Sequence, residues 1–346
     1  MEGSREVVEA YHKVADLMKV RPSIYWLDLF CSAGIGWGAM LLGCRGQGAW
    51  PFVLAGLSTL ALYRGLLFIH EITHLRRGAL PGYRTAWNIL IGIPFLVPSF
   101  FYVGVHLDHH NPNLYGTRRD PEYHVLVPGS RLGIFLFLIV SALVPTGLFL
   151  RFAVLAPLSY VWPWLRQFVI ERCSSLVINP DYKRVWPRSA EEQREWRVLD
   201  SLATLWCLGH IAALVHGLYP PAYFFYALGI LSAVALLNQV RTLVAHRFER
   251  HDESLSIEEQ LLDSMNFPGP ALITELWAPV GMRYHALHHY LPGLPYHALA
   301  EAHRRLSQEL PPNANYHRVS SGGFWESVGE MLKNLKGKPL VPVRPE

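Results

Sequence analysis

Eight of the seventeen histidines in this chain fall into three short clusters, and imidazole is the side chain that most often binds metal ions in proteins. The clusters read HEITH, HLDHH and HALHH, each beside an apolar segment. They contain His70, His74, His106, His109, His110, His285, His288 and His289. Because residues three and four apart share one face of a helix, each cluster could aim its histidines the same way. The pattern predicts a metal site to which all three clusters contribute.

The number of histidines favours two metal ions. Eight imidazoles are too many for one four-coordinate zinc, which in catalytic sites has three protein ligands. Lone histidines in apolar sequence are usually core residues, but packing gives no reason to repeat pairs at one spacing. Imidazole binds zinc, copper, nickel and iron, so the ligands alone do not select the metal. If the site activates O2, zinc is excluded because it has no redox chemistry.

The composition indicates a membrane protein that positions these clusters. Hydrophobic residues make up 51% of the chain and charged residues 17%, compared with roughly 25% charged in soluble domains. A helix of about twenty mainly apolar residues can cross a bilayer. Four crossings are expected, at residues 24–44, 50–69, 202–218 and 221–240. The expected fold class is therefore all-α, a polytopic helical membrane protein.

Two further apolar segments are expected to enter the membrane region without crossing it. Residues 87–105 join the first two clusters, which must lie on one side of the membrane, and two prolines interrupt their hydrogen bonds. If residues 132–158 also crossed, the third cluster would lie opposite the second. We therefore expect Pro145 and Gly147 to divide this segment into two half-helices. These segments would be re-entrant or interfacial helices beneath a histidine-rich cap.

The distribution of arginine orients the chain. Arginines follow the first two clusters and the last crossing, at Arg76, Arg77, Arg84, Arg118, Arg119, Arg241 and Arg247. Cytoplasmic loops are enriched in Lys and Arg, so the clusters and both termini are expected to be cytoplasmic. The expected divisions are a cytoplasmic N-terminal segment (1–23), a membrane domain with its cytoplasmic cap (24–310) and a C-terminal tail (311–346). No cleavable signal peptide is expected.

Charge and cysteine content argue against two other classes of protein. The net charge of +4 is small and dispersed, so nucleic acid is not an expected partner. The four cysteines lack metal-site spacing, and most lie in or beside apolar segments, so a disulfide framework is not expected either.

The order of the clusters resembles that of the membrane fatty acid desaturase superfamily. HxxxH is followed closely by HxxHH, and a second HxxHH lies beyond two crossings, so the resemblance extends from His70 to about His303. It implies two non-haem iron ions on a histidine-rich cytoplasmic face. It also implies a ninth ligand just after the last crossing, which here would be His246. In such relatives an asparagine precedes this histidine by one helical turn, whereas this chain has Thr242 there and Asn238 one turn further back.

The resemblance implies an O2-dependent enzyme that uses two electrons to attack an unactivated carbon–hydrogen bond of a fatty acyl lipid. We expect a fatty acid desaturase. A related lipid hydroxylase or fatty acid decarboxylase stays open, because all three reactions can begin with the same hydrogen abstraction. No fused haem domain is apparent, so a separate electron donor is expected, either ferredoxin-like or a cytochrome with its reductase.

Several polar residues near the clusters are candidates for outer-shell roles. Glu71 and Asp108 could fix imidazole tautomers, as carboxylates beside metal-bound histidines commonly do. Asp263 and Asn266 are polar candidates between His246 and the third cluster. Seven histidines outside the clusters are considered and not assigned to the site; these are His124, His210, His216, His251, His297, His303 and His317.

Two other functions compete with this interpretation. HEITH also matches the HExxH motif of zinc metalloproteases, and residues 179–182 resemble the third-ligand motif of the membrane-embedded type without its glycine. That reading leaves six clustered histidines unexplained. A metal transporter or sensor would need ionisable residues along a path through the crossings, where only His210 and His216 qualify.

Overall fold

The computed structural model describes residues 2–76, 78–123, 131–187, 189–248 and 254–334. These residues are almost entirely helical, and their only extended pairing consists of isolated β-bridges. The predicted all-α class is therefore confirmed. The four cysteines are free, as predicted. Some sequence assignments lie outside the described residues, namely Arg77, His124, His251 and the end of the C-terminal tail at 335–346.

The chain forms two compact units. Unit 1 comprises Met1–Lys19, His109–Val140 and Asn238–Glu346, and unit 2 comprises Val20–Asp108 and Ser141–Leu237. The α-helices of the described residues are, in chain order, α1 (Glu2–Val14), α2 (Pro22–Gly43), α3 (Trp50–His74), α4 (Tyr83–Trp87), α5 (Val105–His109), α6 (Arg131–Leu150), α7 (Ala156–Ser159), α8 (Pro163–Cys173), α9 (Ala190–Val215), α10 (Pro221–Ala245), α11 (Ile257–Asp263), α12 (Ala271–Trp277), α13 (His285–Tyr290), α14 (Leu299–Glu309) and α15 (Phe324–Asn334).

Five helices among the described residues are long and apolar enough to cross a membrane. They are Pro22–Gly43, Trp50–His74, Gly133–Ser159, Ala190–Val215 and Pro221–Ala245. Four of them overlap the predicted crossings, and α9 begins twelve residues before the predicted 202–218. The chain is therefore a polytopic helical membrane protein.

The remaining candidate span corrects one sequence prediction. Residues 132–158 were expected to break at Pro145 and Gly147, but α6 continues through both to Leu150. A π-helical turn at Arg151–Leu155 then joins α6 to α7. The prediction of two half-helices is wrong, because losing one backbone hydrogen bond at a proline does not divide an apolar helix of this length.

Residues 87–105 form the interrupted segment that was predicted. A π-helical turn at Asn88–Gly92 follows α4, and a 3₁₀ turn occupies Ser99–Phe101. Pro94 and Pro98 lie between these turns. The segment contains no continuous helix long enough to cross a bilayer, and it leads directly into the short helix α5.

Close packing in unit 2 fixes the helix that carries the first histidine cluster. A Cβ atom added to Gly36 of α2 would lie 2.5 Å from the Leu62 side chain of α3, so glycine permits the close approach. Nearer the end of α3, the buried Tyr25 hydroxyl donates a hydrogen bond to the Glu71 carboxylate at 2.6 Å. These contacts hold the last turns of α3 against α2.

A buried ion network joins three helical segments of unit 2. Arg151 is 2% exposed, and its guanidinium pairs with the Asp200 carboxylate of α9. It also donates to the Cys173 carbonyl oxygen at 3.2 Å and to the Ser174 hydroxyl at 2.9 Å. Arg166 of α8 donates to the second oxygen of Asp200 at 3.0 Å. Because buried charges require partners, the Asp200 carboxylate, which pairs with both arginines, stabilises the contact between these helical segments.

Asn266 positions the third histidine cluster in unit 1. Its backbone N–H donates to the Val319 carbonyl oxygen at 2.7 Å, and its carbonyl oxygen accepts from the Ser321 N–H at 2.9 Å. Its side-chain Oδ1 accepts from the Leu287 N–H in α13 at 3.0 Å. Asn266 is fully buried. Asn266, a polar candidate identified from the sequence, therefore holds α13, the helix that carries the third histidine cluster.

Histidine 303 on α14 is expected to make the stability of unit 1 depend on pH. Burial, assisted by Arg283, lowers the pKa of His303 to about 4, and its Nδ1 lies 2.7 Å from the Tyr316 hydroxyl oxygen. An unfolded histidine has a pKa of about 6.5. The neutral ring is favoured in the folded state, so this stabilisation is complete above the unfolded pKa and is lost as pH falls toward the folded pKa.

We expect the thermal unfolding midpoint of the detergent-purified protein to fall with acidification across that window more steeply than that of a His303→Gln variant. Glutamine can still accept a hydrogen bond from Tyr316 but does not titrate. Thermal melts of both proteins at several pH values provide the measurement. Parallel pH profiles for the two proteins would contradict the assignment.

Candidate metal centre

Three histidines come together in unit 2. The last turns of α3 carry His70 and His74, and α5 carries His106. The ring centroids of His70 and His106 lie 4.5 Å apart, and those of the other two pairs 5.1 Å apart. Each residue offers a ring nitrogen within 4.8 Å of the other two. The arrangement could supply three imidazole ligands to one metal ion.

Four histidines form a second group, in unit 1. His285 and His289 lie four residues apart on α13, His246 follows α10, and α5 ends at His109. The Nε2 atom of His285 lies 2.9 Å from Nε2 of His246 and 3.2 Å from Nε2 of His289. His109, His246 and His289 offer ring nitrogens within 4.8 Å of one another.

The nitrogen spacing of this group, and the lowered pKa values of two of its histidines, fit a bound metal ion. When two metal–nitrogen bonds of about 2.1 Å meet at an angle between a right angle and the tetrahedral angle, the two nitrogens lie roughly 3.0–3.4 Å apart. The distances of 2.9 and 3.2 Å around His285 are close to that range. Metal binding requires neutral imidazole. Burial lowers the pKa of His246, and burial with the neighbouring histidines holds the pKa of His289 well below its ordinary value.

Asp120 fixes the orientation of His109. Its Oδ1 lies 2.9 Å from the Nδ1 atom of His109, and both side chains are fully buried. The carboxylate is itself held by backbone N–H groups, with Gly116 and Glu122 each donating at 2.9 Å. Burial disfavours the imidazolium, but the Asp120 carboxylate outweighs this and raises the pKa of His109. The carboxylate therefore favours a proton on Nδ1, which would leave Nε2 free to bind a metal ion.

The Nδ1 atom of His246, like that of His109, has buried polar partners. The Tyr115 hydroxyl lies 3.0 Å from Nδ1 of His246 and donates to the Asp263 carboxylate at 2.9 Å. Tyr123 donates to the other oxygen of Asp263 at 3.3 Å. Thr242, at the position where relatives have asparagine, instead donates to the Asn238 carbonyl oxygen of its own helix at 2.9 Å. In this chain a tyrosine and a carboxylate support the ninth histidine.

The remaining clustered histidines also have ordered surroundings. In unit 2, the Tyr102 hydroxyl lies 2.9 Å from Nδ1 of His106. In unit 1, the Nε2 atoms of His110 and His288 lie 3.1 Å apart, a spacing that again suits two ligands of one ion. All nine histidines selected from the sequence thus lie in histidine groups within their own unit, three in unit 2 and six in unit 1. Their role as metal ligands stays a prediction.

The outer-shell residues were predicted less well than the histidines. Asp263 is next to His246, with Oδ2 3.5 Å from Nδ1, as proposed for a polar residue near the centre. Glu71 accepts a hydrogen bond from Tyr25, and its carboxylate lies 3.8 Å from Nδ1 of His70. Sequence reasoning missed Asp120 and Tyr115, because only the folded chain brings them to the histidines. It also missed Tyr102, although the four-residue spacing from His106 is a signal that could have found it.

Two sequence expectations concern residues that the structure places elsewhere. Asp108, within the second cluster, accepts a hydrogen bond from the Tyr182 hydroxyl at 2.8 Å. Asp181, the third ligand that a zinc protease would require, is exposed. Among the described residues, the groups able to hold a metal consist of histidines only. His210 pairs with Tyr219, whose hydroxyl lies 2.8 Å from its Nδ1, as expected of a packed histidine.

Replacing Asp120 with asparagine should weaken metal binding by roughly 10- to 100-fold. The asparagine amide could donate to Nδ1 of His109, which would move the ring proton to Nε2 and block coordination. Metal affinity of the purified protein, measured by competition with a chelator, tests this. Asp181→Asn, at an exposed carboxylate, is the matched control. Unchanged affinity in Asp120→Asn would show that Asp120 does not orient a ligand.

Comparison with known proteins relates most of the chain to a described protein family. Residues 48–320 match the protein family described as fatty acid desaturase. The chain is also 43% identical over 331 residues to a ceramide hydroxylase of Caulobacter vibrioides (strain NA1000 / CB15N), a match that covers 95% of this chain and 94% of the relative. The match to the family begins before α3 and ends after α13, so it includes both histidine groups.

Proposed function

This chain belongs to the fatty acid desaturase family, and from that membership we propose that it is an O2-dependent membrane enzyme that hydroxylates a ceramide-type lipid. The observation that carries the choice of reaction is the 43% identity to a ceramide hydroxylase across 95% of the chain. The sequence had predicted desaturation. An enzyme of this family oxidises a lipid in either case, and hydroxylation is the finer assignment that the relative supports.

We propose that the nine histidines hold two iron ions. His109, His246, His285 and His289 of unit 1 would bind one ion, and the three histidines of unit 2 would bind the other. His110 and His288 would complete the set of ligands, and we do not assign this pair to either ion. The fit of unit 1 rests on donor type, on nitrogen spacings of 2.9 and 3.2 Å, and on the lowered pKa values of His246 and His289. Iron rather than zinc follows from the need for a redox metal.

The bound irons would supply O2 activation and the removal of hydrogen from an unactivated carbon. Overall, the lipid C–H bond, O2, two electrons and two protons would give a C–OH group and water. The chain's own residues would keep the ligands in place. Asp120 holds the Nδ1 proton of His109, while Tyr115 and Asp263 orient His246. Burial of these side chains excludes bulk water from the ligands.

Desaturation is the second candidate, favoured by the description of the family itself. It uses the same O2 and electrons but removes two hydrogens from adjacent carbons and leaves no oxygen on the lipid. We propose for either reaction that a separate ferredoxin-like protein, or a cytochrome with its reductase, delivers the electrons. We also propose that the histidine groups and both termini are cytoplasmic, which the arginine distribution supports. This orientation requires that one of the three candidate spans between the second and third clusters does not cross the membrane.

Lipid analysis of ceramide-producing cells that express the chain distinguishes these reactions. Mass spectrometry should find ceramide that has gained one oxygen atom, and cells expressing His109→Ala should not contain it. Ceramide or fatty acid that has lost two hydrogens would replace the proposal with desaturation. A lipid profile identical to that of the His109→Ala cells would contradict both reactions.

A further inference from the structure

Two helices of unit 1 expose large apolar side chains outside the candidate membrane spans. On α12, Leu272 is 87% exposed, Ile273 64% and Leu276 53%. On α15, Trp325 is 81% exposed. Isolated exposed apolar residues are common, but a cluster on neighbouring elements marks an interaction surface. We define these four side chains as the apolar face.

The two helices belong to one packed body. Trp277, at the end of α12, contacts Phe324, at the start of α15, with ring centroids 5.1 Å apart. Both pack against a small core that contains Val244, Met265 and Phe267. The inward sides of α12 and α15 are thus occupied, and their outward sides carry the apolar face.

This core connects the apolar face to the membrane. Val244 lies in the last turn of α10, which is a candidate membrane span over Pro221–Ala245. The helices that carry the face therefore adjoin the end of a candidate span, near which the bilayer surface begins. Tryptophan at Trp325 is the residue type enriched at that level. We propose that α12 and α15 insert their apolar face into the surface layer of the lipid bilayer.

The ionisable residues of α12 and α15 favour contact with a lipid bilayer over a partner bound by electrostatic attraction. Glu275 is the only ionisable residue in α12, and α15 carries Glu326 and Glu330 but a single lysine, Lys333. Attraction to anionic headgroups requires Lys or Arg on the polar side of an interfacial helix. Insertion should therefore depend on apolar burial and should occur equally in neutral bilayers.

The apolar face is tied to the third histidine cluster by hydrogen bonds. The Arg283 guanidinium donates to the carbonyl oxygens of Pro268 and Gly269 at 2.6 and 2.8 Å. The Phe267 N–H donates to the Arg283 carbonyl oxygen at 2.6 Å. Arg283 precedes His285 by two residues. Insertion would thus anchor the polypeptide beside a histidine group at the bilayer surface, whichever reaction that group performs.

Spin labels provide the test in full-length protein reconstituted into phosphatidylcholine nanodiscs. Leu272→Cys, Ile273→Cys and Trp325→Cys would each be labelled in a background in which Cys31, Cys44, Cys173 and Cys207 are alanine. Because Leu272, Ile273 and Trp325 are largely exposed, replacing each with cysteine removes few contacts. Ser307→Cys, on the exposed side of α14, is the matched control. Power saturation then compares each label's collisions with O2, which concentrates in lipid, and with a water-soluble nickel chelate.

We expect labels at 272, 273 and 325 to collide several-fold more often with O2 than with the nickel chelate, and the label at 307 to show the reverse. Adding phosphatidylserine should leave the ratios unchanged. Nickel accessibility at all three positions equal to that at 307 would overturn the proposal and leave the face to a protein partner. The readout does not depend on turnover, so it is independent of the proposed hydroxylation.

Discussion

Replacing His289 with alanine is expected to abolish lipid oxidation and to remove the iron ion that we propose unit 1 binds. Its Nε2 lies 3.2 Å from that of His285, and burial among other histidines favours the neutral ring that a metal requires. The loss of turnover should exceed the roughly 10- to 100-fold effect of an outer-shell substitution. Turnover assays and elemental analysis of the purified variant measure both effects.

His317→Ala is the matched control for this substitution. His317 is exposed, and its Nε2 lies 3.1 Å from the Pro311 carbonyl oxygen, so its contacts are with backbone at the surface. This variant should keep full iron content and turnover. His289→Ala protein with the iron content and activity of the His317→Ala control would contradict the assignment of His289 as a ligand.

Replacing Asp200 with alanine is expected to destabilise the protein by about 3–5 kcal/mol, the usual effect of removing one partner of a buried ion pair. The change leaves the buried guanidinium of Arg151 and the nearby Arg166 without their shared carboxylate. Thermal unfolding in detergent, compared with Asp181→Ala at an exposed carboxylate, measures the effect.

A double variant separates the cost of an unpaired charge from the loss of packing. Arg151→Met with Asp200→Leu removes both buried charges and retains apolar volume, so it should recover much of the stability lost in Asp200→Ala. Its recovery can be incomplete, because Arg166 still loses a partner at 3.0 Å. If Asp200→Ala unfolds at the wild-type temperature, the ion network does not stabilise the junction.

Local patterns predicted the positions of the histidines well. The four-residue spacing of His70 and His74 placed them together at the end of an apolar helix, and the same spacing brought His285 and His289 within 3.2 Å on α13. Four candidate spans were also found from apolar length alone. These features depend on helical periodicity and composition, which the sequence contains directly.

Features that depend on tertiary packing were not predicted. Asp120 is separated from His109 by eleven residues, and Tyr115 from His246 by 131, so no local spacing relates them. Glu71 and Asp108 lie within clusters, but each accepts a hydrogen bond from a distant tyrosine. Sequence proximity to a histidine therefore predicted some contacts and not others. The Glu71 carboxylate does lie 3.8 Å from Nδ1 of His70, whereas Asp108 pairs with Tyr182.

Proline accompanies a break in one apolar segment of this protein but not in another. The prolines in residues 87–105 accompany an interrupted segment, whereas Pro145 lies within the continuous helix α6. The first segment contains short turns that satisfy their own backbone groups. In α6, a long apolar sequence on both sides maintains the helix despite the missing N–H group.

The most direct test of the central claim is the metal content of the detergent-purified, full-length protein. Elemental analysis should find iron at about two ions per chain, as expected for an imidazole-rich site that activates O2. His289→Ala should contain about one ion per chain, because it removes a ligand of only one of the two proposed ions. Zinc at about one ion per chain, with no iron after expression in iron-supplemented medium, would contradict a di-iron lipid oxidase.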